Sequence, residues 1–266
     1  MSWIYNFLIF PFTEFYKYRE LILYQLRAEF KEKHFQKALG PLWWFGEPFF
    51  IALTMIFLTE ILFRRTFEEN GFIIIIMSVL VWRWFSRSVD SSPYLLVNFQ
   101  RELGNTNFPI LPLVYTKILV EMVFFGFGLG IIFGIALLSG VTLTINLIYL
   151  PIIMIIQLTF IIGLVTIFGK LGIFFKDLQM LIWPVISIWF YLSPGIYPET
   201  MIPDQYRWVY DLNPFATIFP AWRNVIVDGV QPDLMNLGIW FLVFLPIALF
   251  GVRDIVRSRG EYYKRL

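Results

Sequence analysis

The sequence predicts an all-α integral membrane protein. It has six transmembrane helices, an amphipathic interface helix before the first, and a re-entrant helical hairpin between the fifth and sixth. Three observations predict this class. Hydrophobic residues make up 58% of the 266-residue chain and charged residues only 15%, whereas a soluble domain carries about a quarter charged residues and under half apolar ones. The apolar residues fall in continuous runs of about 20, the length a membrane-crossing helix needs. They lack the alternating segments of about ten residues that mark a transmembrane barrel. Aromatic residues are also in excess, with 30 Phe, 13 Tyr and 10 Trp, and Trp and Tyr favour the headgroup layer.

The chain divides into residues 1–40, a cytoplasmic N-terminus, and residues 41–266, the membrane domain. The N-terminus does not read as a cleaved signal, because its apolar run is short and Glu14, Lys17, Arg19 and Glu20 follow. From Thr13 to Lys37, Phe15, Tyr18, Ile22, Leu26 and Phe30 recur at helical spacing, with Lys17, Glu20, Arg27, Lys31 and Glu32 on the other faces. That pattern predicts an amphipathic helix lying on the inner membrane surface, with an ordinary packed cytoplasmic helix as the alternative. The six spans are residues 42–63, 72–97, 113–138, 145–168, 178–197 and 237–252. Lys17, Arg19, Arg27, Lys31, Lys33 and Lys37 precede the first span, and Arg253, Arg257, Arg259, Lys264 and Arg265 follow the last. Arg101, Lys170 and Lys176 lie in connections on the same side. The positive-inside rule therefore places both termini in the cytoplasm.

The connection between the fifth and sixth spans is long and rich in proline and aromatics. Within it, residues 213–227 read as a short helix bounded by Asn213-Pro214 and Asp228-Gly229. At about 15 residues it is too short to cross comfortably, so the segment at about 198–230 is expected to dip into the outer leaflet and return, as backbone can only where protein or water covers it; a plain extracellular loop folded on the surface is the alternative.

Chemistry-bearing residues are few. A net charge of +2 gives no basic field for nucleic acid, and the absence of cysteine excludes thiol catalysis and Cys-ligated metal. The lone His34 sits among lysines, where a solvated surface role is expected, and no His or carboxylate cluster has metal-ligand spacing. No catalytic or metal site is expected. Gly163 to Lys170 resembles a phosphate loop only loosely, with wrong glycine spacing and no hydroxyl residue after the lysine. If ATP drives the protein, another chain binds it.

Charge inside the second span is more informative. Arg83, Arg87 and Asp90 stand at i, i+4 and i+7, on one helix face. Intramembrane charge is costly and turns to a cavity or a partner, and arginine suits bidentate phosphate recognition. Arg83 and Arg87 are therefore expected at the inner mouth of a substrate conduit, with pairing to Asp90, Glu47 or Glu121 as the structural alternative. The fifth span carries Trp183, Trp189, Phe190 and Tyr191 before Ser193-Pro194-Gly195. Such faces can stack on sugar rings while letting a polymer slide, although in so aromatic a chain many serve packing or face lipid.

These features together resemble the transmembrane subunits of ABC exporters for O-antigen, teichoic acid and capsular polysaccharide. The resemblance runs over nearly the whole chain. It rests on Leu39-Gly40-Pro41-Leu42-Trp43-Trp44 with Glu47-Pro48, on Asn107-Phe108-Pro109, and on Phe175-Lys176-Asp177-Leu178. Most specific are Tyr191-Leu192-Ser193-Pro194-Gly195-Ile196-Tyr197-Pro198, Ile202-Pro203, Tyr206-Arg207, Leu212-Asn213-Pro214 and Ala221-Trp222-Arg223. The chain departs from the family at Lys176, where arginine is more usual, and in its aromatic Trp82-Arg83-Trp84.

The resemblance implies a homodimer in the bacterial cytoplasmic membrane with two copies of a separate ATPase subunit, which holds the ATP and Mg²⁺. It implies a channel for a glycan carried on undecaprenyl pyrophosphate; the residues expected to line it from their charge and aromatic faces are Arg83, Arg87, Trp183, Trp189, Phe190, Tyr191 and Tyr197. It places an ATPase-coupling helix at about residues 93–109, with Arg101, Glu102 and Asn105. The N-terminal helix would flank the lipid entrance, and the hairpin would close the outer end. An ABC exporter of drugs or small lipids is the alternative. A membrane enzyme is disfavoured because the outer-loop acids Glu199, Asp204, Asp211, Asp228 and Asp233 form no acid–base pair, and a secondary transporter because the halves show no repeat.

Overall fold

Long apolar runs without water must satisfy their backbone groups internally, and helices are how this chain does so. The computed structural model describes residues 2–34, 43–57, 70–99, 108–195, 197 and 199–258, and among them all regular structure is helical. In order, the helices are α1 (Ser2–Lys17), α2 (Arg19–His34), α3 (Trp43–Ile56), α4 (Gly71–Asp90), α5 (Ile110–Leu138), α6 (Leu150–Phe174), α7 (Leu178–Tyr191), α8 (Arg207–Asp211), α9 (Phe215–Ile226) and α10 (Leu234–Arg257). Short 3₁₀ turns extend α4 at Ser92–Tyr94 and precede α6 at Ile145–Tyr149.

Four of these segments are long and apolar enough to cross a membrane: Gly71–Tyr94, Ile110–Leu138, Ile145–Phe174 and Leu234–Arg257. They coincide with the second, third, fourth and sixth expected spans. The fifth expected span is a helix of 14 residues with Pro184 inside it, about 21 Å long at 1.5 Å per residue. The first begins as α3, also 14 residues, and the rest of that run lies outside the described residues. So do Arg101, Glu102 and Asn105. Among the described residues there are thus four full-length candidates, where six spans are expected from the whole sequence.

The N-terminal segment is two helices that break at Tyr18. The expected stripe is present: Ile22 is buried, Leu26 packs on the core, and the Phe30 ring meets Phe124 of α5 edge-on at 5.1 Å. Two hydrogen bonds hold these helices to α5. Tyr115 Oη donates to the Pro11 carbonyl at 2.8 Å, and Thr116 Oγ1 donates to Gln25 Oε1 at 2.8 Å. Glu20, Arg27, Lys31 and Glu32 remain exposed on the far face. The apolar stripe therefore serves helix packing against α5.

The closest helix pair is α6 with α10. Gly163 lies against Ile247 and Ala248, and a Cβ on Gly251 would collide with Thr166 Oγ1. Small residues let two membrane helices approach backbone to backbone, where dispersion replaces the hydrophobic drive. Lys170 Nζ pairs with Asp254 Oδ2 at 2.7 Å across the same helices. The Gly163–Lys170 stretch is accordingly a packing seam.

Inside the bundle, much of the aromatic excess becomes core. Trp82, Phe85, Phe160, Trp189, Phe215 and Phe219 form one ring cluster, with Trp82 and Phe215 centroids 4.6 Å apart. The short helix expected at 213–227 is α9, and it inserts Phe215, Ile218, Phe219, Trp222, Val225 and Ile226 into this core. One buried side chain binds three helices: Gln157 of α6 donates from Nε2 to the Val81 carbonyl of α4 at 3.0 Å and accepts from Trp222 Nε1 of α9 at 3.1 Å. A buried amide is tolerable only when both its ends are satisfied, and here both are.

Candidate functional site

A cleft of about 440 Å³ opens between α3, α4 and α7. The α4 wall presents Val79, Trp82, Arg83, Ser86, Arg87 and Asp90. Their spacing of three and four residues is the helical period, so the face inferred from the sequence is the face that borders the cleft. Arg83 also borders a small void beside Glu121 and Trp84, so it stands between the cleft and the α4–α5 contact. There Glu121 approaches Lys117 of its own helix at 4.0 Å, with both side chains largely buried.

The α7 wall presents Trp183, Ile186, Ser187, Phe190 and Tyr191, and α3 contributes Phe50, Ile51, Thr54 and Met55. Besides the Tyr191 phenol, three aliphatic hydroxyls line the cleft, one from each wall, and each donates to its own helix. Thr54 Oγ1 donates to the Phe50 carbonyl at 2.8 Å, Ser86 Oγ to Arg83 at 3.3 Å, and Ser187 Oγ to Trp183 at 2.8 Å. Guanidinium and carboxylate groups, hydroxyls and aromatic rings thus share one open space.

Five of the seven expected conduit residues meet in this cleft: Arg83, Arg87, Trp183, Phe190 and Tyr191. Trp189 stands elsewhere. Six residues beyond Trp183 it is rotated about 240° around the helix, which turns it toward Trp82, Phe85, Phe160 and Phe215. Tyr197 lies beyond the end of α7, half-buried and outside the cleft lining.

Trp189 takes part in a latch that fixes the end of α7 to the start of α9. Asn213 Oδ1 accepts from Trp189 Nε1 and from the Phe215 amide, each at 3.0 Å. Its Nδ2 donates to Ser193 Oγ at 2.9 Å and to the Leu192 carbonyl at 3.4 Å. All four hydrogen-bonding capacities of the side-chain amide are used. Ser193 Oγ in turn donates to the Trp189 carbonyl at 2.7 Å. Gly195 completes the joint, since a Cβ there would come within 2.9 Å of the Phe219 ring.

Ser193-Pro194-Gly195 and Asn213-Pro214 stand out in the sequence as motifs, but their mutual contact does not. Gln157 belongs to no motif; its one signal is that it is a lone amide in an apolar helix. Among the described residues, no group of three or more His, Cys, Asp or Glu side chains could hold a metal ion.

Residues 21–227 match the family described as ABC-2 type transporter. The chain is 25% identical over 252 residues to the O-antigen export system permease protein RfbA of Myxococcus xanthus, covering 94% of this chain and 96% of that protein. It is also 25% identical over 237 residues to the protein of the same name from Klebsiella pneumoniae, covering 87% of this chain and 91% of its relative.

Proposed function

The chain belongs to the ABC-2 type transporter family, and we propose that it is the membrane-spanning subunit of an ATP-driven exporter of lipid-linked polysaccharide. The observation that carries the substrate is the near end-to-end alignment with relatives named as O-antigen export permeases. The cleft supports it chemically: Arg83 and Arg87 suit a phosphate-bearing end, and Trp183, Phe190 and Tyr191 suit the apolar faces of sugar rings.

In this reading the protein sits in the bacterial cytoplasmic membrane with both termini inside. The segments begun by α3 and α7 complete six spans, and α8 with α9 forms a re-entrant hairpin at the outer end. Two copies of the chain bring their clefts together into one conduit. Trp189 shapes the conduit from behind through its bond to Asn213, and Tyr197 lies at its outer end. Two copies of a separate ATPase subunit bind ATP and Mg²⁺ and dock on the loop carrying Arg101, Glu102 and Asn105. The glycan travels on undecaprenyl pyrophosphate, whose charge the arginines meet.

The test is the fate of lipid-linked glycan in cells depleted of this protein. The expected result is polymer on its lipid carrier accumulating on the cytoplasmic side while surface polymer disappears. Normal surface glycan without accumulation would refute the polysaccharide reading in favour of a drug or small-lipid exporter.

A further inference from the structure

We propose that Thr54, Ser86 and Ser187 are substrate-contacting residues that select a glycan with uncharged repeats; this rests on the reading of the cleft as a polysaccharide conduit. The three hydroxyls come from three different helices, α3, α4 and α7, yet border the same space. Each has its proton engaged by a carbonyl three or four residues earlier in its own helix. What each turns outward is therefore an oxygen with lone pairs, an acceptor. Acceptors attract the hydroxyl protons of a sugar and repel carboxylate or phosphate oxygens.

Hydroxyls buried in helix packing do not share this placement. Ser88 and Thr166 also bond to their own helices, at 2.8 Å in each case, but both are 0% exposed. Their oxygens meet only protein. Those of the cleft open onto a space walled by Phe50, Trp183 and Phe190, whose faces hold sugar rings without regard to hydroxyl pattern.

Charge sets the limit from the other side. The cleft lining holds two guanidinium groups, Arg83 and Arg87, against the Asp90 carboxylate, leaving one net positive charge. In a conduit made from two such clefts that is one positive charge for each phosphate of a pyrophosphate-linked carrier, and it falls short of a chain with an anion on every repeat. Ser86 lies between the two arginines in sequence, and its 3.3 Å bond is the longest of the three.

The test uses the transporter with its ATPase partner in lipid nanodiscs and three probes: a neutral glucose heptasaccharide, a galacturonate oligomer of equal length, and inorganic pyrophosphate. Wild-type protein should bind the neutral oligomer at least about tenfold more tightly than the acidic one. Thr54→Val, Ser86→Ala and Ser187→Ala combined should weaken the neutral oligomer about tenfold, each neutral hydrogen bond being worth a few-fold in affinity. Pyrophosphate binding should be unchanged. Arg83→Gln with Arg87→Gln should do the reverse, and Thr54→Ser should retain wild-type behaviour. Thermal unfolding of each variant separates lost contact from lost fold.

Equal binding of the two oligomers, undiminished neutral-oligomer binding in the triple variant, or no binding of either oligomer would overturn the assignment. The exporter reading is judged separately, by lipid-linked glycan in depleted cells. It can stand when the hydroxyl proposal falls.

Discussion

Replacing Asn213 with alanine isolates the contribution of the latch between α7 and α9. The change removes an acceptor shared by the Trp189 indole and the Phe215 amide and a donor to Ser193 Oγ. The Phe215 amide is buried and cannot recover a partner from water. The indole is part-buried and recovers one incompletely. At about 1–3 kcal/mol for each orphaned buried group, the expected loss is about 3 kcal/mol. For a chain of this size that lowers the melting temperature by about 6–12 °C.

Asn213→Asp divides the latch into halves. The carboxylate keeps an oxygen for Trp189 and Phe215 but places its second oxygen against Ser193 Oγ and the Leu192 carbonyl, both acceptors in this geometry. It should therefore melt at least as low as the alanine variant. Trp189→Phe combined with Asn213→Ala should lose less than the sum of the single changes, by about 1 kcal/mol. The assay is thermal unfolding of the purified protein in detergent. An alanine variant melting within about 2 °C of wild type, or an aspartate variant as stable as asparagine, would refute the reasoning.

Other predictions follow from the packing and from the proposed partner. Gly251→Ala should destabilise the α6–α10 seam because its Cβ meets Thr166 Oγ1; adding Thr166→Ala should recover much of the melting temperature. Gln157→Leu should cost about 2 kcal/mol by orphaning Trp222 Nε1, and Trp222→Phe in the same chain should cost little more, as thermal unfolding of the two variants will show. Arg101→Ala with Glu102→Ala should lower transport-coupled ATP hydrolysis severalfold while leaving the ATPase subunit active alone; unchanged coupling would exclude that loop as the docking site.

The parts of this fold legible in sequence are those set by local periodicity. Four runs of apolar residues form long helices because their length and hydropathy require internal backbone hydrogen bonding, even with Pro246 inside α10, and Asn213-Pro214 with Asp228-Gly229 bound α9 to within two residues. The shared face of Arg83, Arg87 and Asp90 was likewise a matter of helical spacing. What sequence did not supply was the partner of each face. The stripe of Ile22, Leu26 and Phe30 specified an amphipathic helix, but whether lipid or α5 covered it depended on tertiary contact. Trp183 and Trp189 looked equivalent on one helix, and only the positions of α4 and α9 send one to the cleft and the other to the core. Asn213 finds its partners at 189, 192 and 193, too far along the chain for a local pattern to mark.

Gln157 joins α4, α6 and α9, and Asn213 fixes one end of α7 to that assembly. The other end is tied to α6 by the short link 175–177 and carries a bond of 3.3 Å from Tyr94 Oη to the Gln179 carbonyl on an exposed surface. Mechanically α7 is a beam clamped at one end and hinged at the other. A load applied near Leu178 would be felt as rotation about the clamp at Ser193, so the cleft would widen most at the end beside Asp90 and least beside Tyr191. Pro184 removes one backbone donor partway along the beam, which makes that turn the weak point between the two supports.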